Sequence, residues 1–283
     1  MTDDRWLPML YAAIAVLGLG ITPMIGAQQT DGTPHVMTGP EVERYYAALR
    51  LGSNGNLRRA RDELDAVLRA DSTHTSARLR LRTLNDVSAG VIVPMTAIHL
   101  FRAAQNSQDG RHTAAIAEID SGIRLNPRYD EAFRLRGRTR VELQDFQPAI
   151  QDYNHAIALN PRNAVAFLNR GVAFVHLRDS DRALKDFNAA IQLEPRNPDC
   201  VVNRGVLYAT QRLFQQALAD FDKAIELDSG AAPAYANKAL ILEQIERWEE
   251  ALRTYRALVR NARPGYSQLV GQANGRIRDL ERR

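Results

Sequence analysis

The chain of 283 residues is 45% hydrophobic and 25% charged, with 17 glycines and 12 prolines. This is a globular composition, and it excludes collagen-like, low-complexity and polytopic membrane proteins. The single cysteine excludes a disulfide framework within the chain and a zinc site built from several thiolates. The formal net charge of +4 keeps nucleic acids and anionic surfaces among the candidate partners. The basic residues are nearly all arginine, a bias typical of a GC-rich bacterial genome.

The first 27 residues are predicted to be a signal peptide or a signal anchor. The stretch 6–30 has no charged residue, Arg5 precedes it, and the next basic residue is Arg44. This asymmetry favours export of the chain that follows. Cleavage after Ala27 would give a periplasmic or secreted protein. The apolar run of about 22 residues is also long enough to remain as an inner-membrane anchor, and a buried cytoplasmic helix is the third alternative. A polar linker is expected over 28–40.

Four kinds of position recur every 34 residues in the rest of the chain. Two of them hold small residues, one holds an aromatic ring and one holds proline. The members are Gly137, Gly171, Gly205 and Ala239; Ala149, Ala183, Ala217 and Ala251; Tyr153, Phe187, Phe221 and Tyr255; and Pro127, Pro161 and Pro195. Small residues let two antiparallel helices approach closely, the ring fills the space beside them, and the proline ends the pair. The pattern predicts a repeated helix–turn–helix unit that buries its apolar face only by stacking on its neighbours.

The segment 164–197 resembles the tetratricopeptide repeat family through Gly171, Ala183, Phe187 and Pro195. The resemblance implies an all-α fold, a right-handed superhelical solenoid of antiparallel helix pairs. The implied organisation is an N-terminal helical region with a degenerate repeat over 41–95, repeats over 96–265 (96–129 degenerate, then 130–163, 164–197, 198–231 and 232–265), and a capping helix over 266–283. Within the N-terminal region, the spacing leaves room for an extra helix over roughly 74–88.

Charged residues repeat at the same interval. The basic positions are Arg102, Arg136, Arg170, Arg204 and Lys238, and the accompanying positions are Glu118, Asp152, Asp186, Asp220 and Thr254. A basic stripe is one feature of nucleic-acid binding. However, phosphate binding needs unpaired positive charge, and here an acid accompanies each arginine. We therefore predict a ladder of ion pairs between helices, and we expect no nucleic acid as a partner.

No catalytic site, metal site or cofactor is predicted. The six histidines share no metal-ligand spacing, and the sequence contains no glycine-rich phosphate loop. Cys200 occupies the position held by Ala132, Ala166 and Ala234 in the other units, which predicts a small, buried and inert thiol.

The resemblance further implies a concave groove lined by the first helix of each pair. The residues of this chain that would bind a partner there are Arg134, Arg138, Asn169, Val172, His176, Asn203, Val206, Asn237 and Leu240. Asn169, Asn203 and Asn237 recur at one position, and their amides could hydrogen-bond an extended backbone. The alternative is that the tail helix or the 28–40 linker fills this groove within the same molecule.

The sequence therefore predicts a non-catalytic protein–protein interaction scaffold of the bacterial cell envelope, which binds a peptide or helix of a partner protein. The alternative is a regulatory or tethering subunit of an envelope enzyme that acts on the cell wall. The expected location is the periplasm or the medium, or else the outer face of the inner membrane through a tether at residues 6–27.

Overall fold

The computed structural model describes residues 40–71 and 74–282, in which all the regular structure is helical. The helices are α1 (Pro40–Ser53), α2 (Leu57–Ala70), α3 (Thr75–Ser88), α4 (Pro94–Gln108), α5 (His112–Leu125), α6 (Asp130–Glu142), α7 (Phe146–Leu159), α8 (Ala164–His176), α9 (Ser180–Leu193), α10 (Pro198–Thr210), α11 (Phe214–Leu227), α12 (Ala232–Gln244), α13 (Trp248–Asn261), a 3-10 turn (Pro264–Tyr266) and α14 (Ser267–Glu281). The predicted export segment and linker residues 28–39 lie outside the described residues.

The all-α prediction is confirmed, and the chain divides into two compact units. Their described parts are residues 40–173 and 174–282, and the boundary falls within α8. None of the helices in the described ranges combines the length and the apolar composition needed to cross a membrane.

The unit 40–173 contains the helix pairs α1–α2, α4–α5 and α6–α7. The single helix α3 occupies nearly the range expected for the extra helix, and it packs against α2 and α4. Helix α1 also packs directly on α4, so closely that a Cβ atom at Gly52 would lie 2.3 Å from the Phe101 ring. Two buried clusters form the core of this unit, one around Phe101 and Leu64 and one around Leu100 and Ile119.

The unit 174–282 contains the pairs α10–α11 and α12–α13, followed by α14. Its first core cluster includes Val202, Phe221 and Leu242. Helix α14 packs against α13 and α12, and its Ala273 lies in a second buried cluster with Tyr235 and Tyr255. The last helix thereby covers apolar surface that α12 and α13 would otherwise expose.

The small and aromatic positions of the repeat meet inside each pair. A Cβ atom at Gly137 would lie 2.8 Å from Cε1 of Tyr153, and one at Gly205 would lie 2.9 Å from Cε1 of Phe221. A larger side chain at either glycine would therefore displace the ring or push the two helices of that pair apart. This contact explains why the sequence keeps a small residue opposite a ring.

The turn inside each pair has one conformation. Gly110, Gln144, Arg178, Arg212 and Glu246, which are spaced 34 residues apart, all have a positive φ of 59–72°. At Arg212, the backbone N–H donates to the Ala209 carbonyl, and the next N–H, of Leu213, donates to the Tyr208 carbonyl. The helix thus ends at a residue in the left-handed conformation, and two carbonyls of its last turn, which have no partner within the helix, accept hydrogen bonds. Four of the five positions hold a residue other than glycine.

Candidate peptide-binding face

The basic positions of the repeat do form ion pairs with the second helix of the same pair. Arg136 donates from Nη2 to Oδ1 of Asp152 at 2.7 Å and from Nε at 3.1 Å. Arg204 contacts Asp220 in the same two-pronged way, at 2.7 and 2.9 Å. The predicted ladder is confirmed at these two sites. At the degenerate repeat it is wrong, because Glu118 lies 2.6 Å from Nδ1 of His99 and Arg102 instead donates to the Ser53 carbonyl.

The four basic side chains of the repeat that follow Arg102 also contact the helix that precedes their own helix pair. The sequence did not predict this contact. The pairs are Arg136 with Asp120 at 2.6 Å, Arg170 with Asn154 at 2.7 Å, Arg204 with Asn188 at 2.8 Å, and Lys238 with Asp222. In every pair the acceptor lies 16 residues before the cation. The acceptors themselves recur every 34 residues, but two of them are Asp and two are Asn, so a search for recurring acids does not find them. These cations are therefore structural, because they join consecutive helix pairs.

In the unit 40–173, the two predicted binding arginines are buried in ion pairs. Arg134, 1% exposed, donates to the fully buried Glu131 from Nε at 2.8 Å and from Nη2 at 2.6 Å. Arg138 lies 3.4 Å from Glu142, which in turn lies 3.0 Å from Nδ1 of His112. Burial, together with the charge of Arg138, lowers the pKa of His112 below its ordinary value. Asn169 and Val172 of α8 are buried as well.

Helix α3 contacts the beginning of α6, where Glu131 lies. Arg82 donates to both carboxylate oxygens of Asp130, at 3.2 and 3.3 Å, and the Tyr129 hydroxyl donates to Asp86 at 2.7 Å. Asp130 also accepts hydrogen bonds from Asn160 and Asn163, each at 2.8 Å. The start of α6 is therefore held by contacts within the chain, and its charged groups are engaged before any ligand arrives.

In the unit 174–282, the predicted residues on α10 and α12 form a face that combines amides with apolar side chains. Asn203, Val206 and Asn237 are each more than nine-tenths buried, and Leu240 is half-buried. The Asn203 amide donates to the Asp199 carbonyl of its own helix at 2.8 Å. The Asn237 Nδ2 group is also buried, but it has no hydrogen-bond acceptor among residues 40–71 and 74–282. His176 lies at the end of α8, and burial lowers its pKa.

The far end of α12 is tied to α14 by a shared carboxylate. Glu243 accepts from the Tyr255 hydroxyl at 2.7 Å and from Nε of Arg276 at 3.2 Å. The Tyr255 pKa is raised by burial and by the Glu243 charge, so the phenol stays protonated and remains a donor. Glu243 thus fixes α14 on the last pair and is not available to bind a peptide.

Cys200 has the predicted environment. Its side chain is fully buried, and burial raises the pKa of its thiol, so the thiolate that would react or bind a metal is not formed near neutral pH. Within the described ranges, no group of three or more His, Cys, Asp or Glu side chains is arranged to hold a metal ion.

Comparisons with known proteins agree with the repeat pattern. A profile of the tetratricopeptide repeat family matches residues 134–199 and 202–266. The chain is similar to TTC0263, a thermophilic repeat protein of Thermus thermophilus, with 23% identity and a TM-score of 0.56 over 64% of this chain and 98% of that one. It is also similar to MamA residues 41 to the end from Desulfovibrio magneticus, with 14% identity and a TM-score of 0.51 over 59% and 94% of the two chains.

No curated protein matches the chain by sequence. At these identities, the two structural similarities extend to the fold alone. The family profile, the recurring residues and the helix pairs agree over the same part of the chain. Residues 134–199 and 202–266 are repeats of the tetratricopeptide repeat family.

Proposed function

We propose that this protein is a non-catalytic scaffold of the bacterial cell envelope, which binds an apolar peptide or helix of a partner protein on the α10–α12 face. Repeats of this family are protein–protein interaction scaffolds, and the proposal adds the face and the location. The observation that carries it is the Asn237 amide, 5% exposed, whose Nδ2 group has no acceptor in the described part of the chain. A buried donor without an acceptor destabilises a protein by about 1–3 kcal/mol. A bound peptide that moved aside the side chains covering this group would offer it a backbone carbonyl and remove that penalty.

The surroundings of Asn237 favour an apolar ligand with an accessible backbone. Val202 and Val206 of α10 lie in the first core cluster of the unit, and Leu240 packs beside the second. Asn203 supplies a second amide one repeat earlier, and its bond to the Asp199 carbonyl is an intrahelical contact that a ligand could replace. Paired amides within an apolar face suit a peptide recognised through its main chain and through a few apolar side chains.

The test replaces Asn237 by leucine, which removes the amide at nearly constant volume. Quantitative mass spectrometry of proteins captured from the native cells would compare this variant with wild type and with Gln216→Leu, a control at an exposed position on α11. We expect the captured partner to be depleted about fivefold or more by Asn237→Leu alone. We also expect the free protein to become more stable, since the unmatched donor is gone.

A binding role for Asn237 predicts that the leucine variant captures less partner and is more stable, whereas a structural role predicts that it is less stable and captures as much. If Asn237→Leu lowered stability and left capture unchanged, the amide would be a packing residue and the proposal would be wrong. If the captured partner were a cell-wall enzyme, the chain would take the role of a regulatory or tethering subunit.

The envelope location rests on the uncharged stretch 6–30 and on the charge asymmetry around it. Fractionation of the native cells, followed by a peptide map of the purified protein, tests it. Recovery from the periplasm without peptides from residues 1–27 would support export and cleavage. Recovery from the inner membrane with those peptides would support an anchor, and recovery from the cytoplasm would contradict the location.

A further inference from the structure

Four large apolar side chains are exposed together at one end of the unit 40–173. Val91 and Val93 belong to the α3–α4 connection, Met95 lies in the first turn of α4, and Leu125 ends α5; their exposures range from 45 to 59%. They are neighbours, because the Val93 backbone N–H donates to Oδ1 of Asn126, the residue after Leu125, at 3.2 Å. We call Val91, Val93, Met95 and Leu125 the loop patch. Soluble proteins rarely leave such side chains grouped on the surface without a binding role.

The loop patch is displayed by a connection whose backbone is fixed. The N–H groups of Val91 and Ile92 both contact the Asp86 carbonyl, at 2.8 and 3.4 Å. Ile92, only 3% exposed, points into the core between the two outward valines. The hydroxyl of Thr96 donates to Asn126 at 2.6 Å on the other side. The valines are therefore held outward by their buried neighbour and are not exposed through a lack of order.

Arginines surround the loop patch. Arg124 and Arg128 flank Leu125 in sequence, and both are exposed. Arg58 and Arg59 are exposed in the first turn of α2, next to Leu57, which packs against the same core cluster as Ile92. Among the residues that the structure describes, none of these four arginines forms an ion pair.

Two of the acids nearby are already engaged, whereas Asp62, one turn after Arg58 and Arg59 on α2, is exposed. Asp86 accepts from the Tyr129 hydroxyl, and Asp130 pairs with Arg82. With four exposed arginines against one exposed acid, the net charge around the exposed apolar side chains is positive. A protein partner for this end would have to supply both an apolar surface and several acids, whereas an anionic lipid surface supplies both everywhere.

We propose that the loop patch docks on the surface of an anionic lipid bilayer, with the two valines and Met95 among the acyl chains and the four arginines at the lipid phosphates. Apolar side chains bordered by basic ones are the composition of segments that lie in a membrane interface. The twelve residues between Ala27 and Pro40 could span about 40 Å when extended. A chain tethered through residues 6–27, as in the envelope location proposed above, could therefore reach the same membrane. The docking itself does not depend on the peptide-binding face.

The test uses the full chain with one cysteine added, because the buried Cys200 will not react. Val91→Cys is labelled with an environment-sensitive fluorophore, and Thr113→Cys, exposed at the opposite end of α5, is the matched control. Each protein is mixed with phosphatidylcholine vesicles that contain or lack phosphatidylglycerol. We expect a blue shift and at least a twofold rise in emission for the label at position 91 with the anionic vesicles only, reversed by high salt.

A variant that lacks two of the arginines tests the electrostatic part of the proposal. Arg124→Ala with Arg128→Ala should weaken binding to the anionic vesicles about fivefold for each arginine removed. Three results would overturn the proposal: a label at position 91 that stays in water, equal shifts at positions 91 and 113, or unchanged binding by the arginine variant. Equal shifts would mean adsorption through another part of the chain. In a parallel titration with an acidic protein in place of vesicles, a shift there and none with vesicles would assign the loop patch to a protein partner and would also overturn the proposal.

Discussion

The guanidinium of Arg204 contacts both carboxylate oxygens of Asp220, from Nη2 at 2.7 Å and from Nε at 2.9 Å, while its Nη1 donates to Asn188. One side chain therefore joins α10 to α11 and also to α9, the helix that precedes the pair. Asp220 is largely buried, whereas Arg204 keeps a quarter of its surface exposed. The lower dielectric on the buried side strengthens the attraction between the two charges, while water screens it on the exposed side.

We expect Asp220→Asn to lower the free energy of unfolding by about 1–2 kcal/mol, because a charged hydrogen bond is replaced by a neutral one. A double-mutant cycle with Arg204→Gln, measured by urea denaturation, should give a coupling free energy of about 1 kcal/mol. A coupling near zero would show that the contact is geometric and does not stabilise the fold.

Close packing inside the helix pairs predicts an unusual response to alanine. Gly137→Ala and Gly205→Ala should each destabilise the protein by about 1–3 kcal/mol, because the new Cβ would lie within 3 Å of a buried ring. The control is Gly271→Ala in α14, where nothing lies within 4 Å of the new Cβ atom. There, helix propensity acts alone, and we expect stabilisation of about 0.5–1 kcal/mol in thermal or urea unfolding. Equal effects at the three sites would contradict the packing argument.

The left-handed turn residues predict opposite effects for two substitutions. At Gly110, with φ of 72°, a Cβ would meet nothing within 4 Å, so any loss in Gly110→Ala comes from backbone strain, about 1–2 kcal/mol. At Arg212, φ is 60°, and Arg212→Gly should stabilise by about 0.5 kcal/mol, since relief of strain outweighs the added freedom of the unfolded chain. Chemical denaturation measures both. Stabilisation by Gly110→Ala would show that the turn is not strained.

The partly buried His176 predicts a loss of stability in acid. Burial lowers its pKa in the folded protein below its ordinary value of about 6.5 in the unfolded chain. The unfolded state therefore takes up the proton first as the pH falls. The free energy of unfolding is unaffected by this group above about pH 6.5, and it decreases as the pH falls towards the lowered folded pKa. His176→Gln should make the pH dependence of stability less steep in this window, while a profile of unchanged slope would contradict the assignment.

The buried Cys200 predicts a thiol that reports on unfolding. In the native protein it should not react with a thiol reagent over the time in which an exposed cysteine reacts completely, because it is fully buried and its pKa is raised. In denaturant it should react stoichiometrically. Cys200→Ala should change stability by less than about 1 kcal/mol, since alanine occupies the same position in neighbouring repeats. Fast labelling of the native protein would place the thiol at the surface.

The repeat itself could be predicted from the sequence because its contacts restrict residue type. A ring at Tyr153 or Phe221 leaves room only for glycine opposite it, so Gly137 and Gly205 mark the helix pairs directly. The turns between the two helices of a pair leave no such mark. Gln144, Arg178, Arg212 and Glu246 adopt a positive φ because the two hydrogen bonds of the turn compensate the strain, and no particular side chain is required.

The candidate site could be predicted only in outline. Position in the repeat indicated which residues lie on the first helix of each pair. It also showed that Asn203 and Asn237 occupy equivalent positions on successive first helices. It could not indicate that Arg134 is enclosed with Glu131, because burial at the start of α6 depends on the tertiary position of α3. The loop patch was missed as well. The sequence around Val91 and Val93 does not recur in the other repeats. A short apolar stretch of this kind is also typical of a buried strand or the end of a helix, so the sequence does not show that the two side chains are exposed.

The backward contact of each basic side chain has a consequence for how the gene could change in length. Excising residues 198–231 would bring Lys238 to 16 residues after Asn188, the spacing at which Arg204 now meets that amide. Tandem duplication of the same stretch would likewise give each new cation an acceptor. Whole repeats can therefore be lost or gained while every cation keeps an acceptor 16 residues before it. An insertion of any other size between a cation and its acceptor would change this spacing and remove the contact.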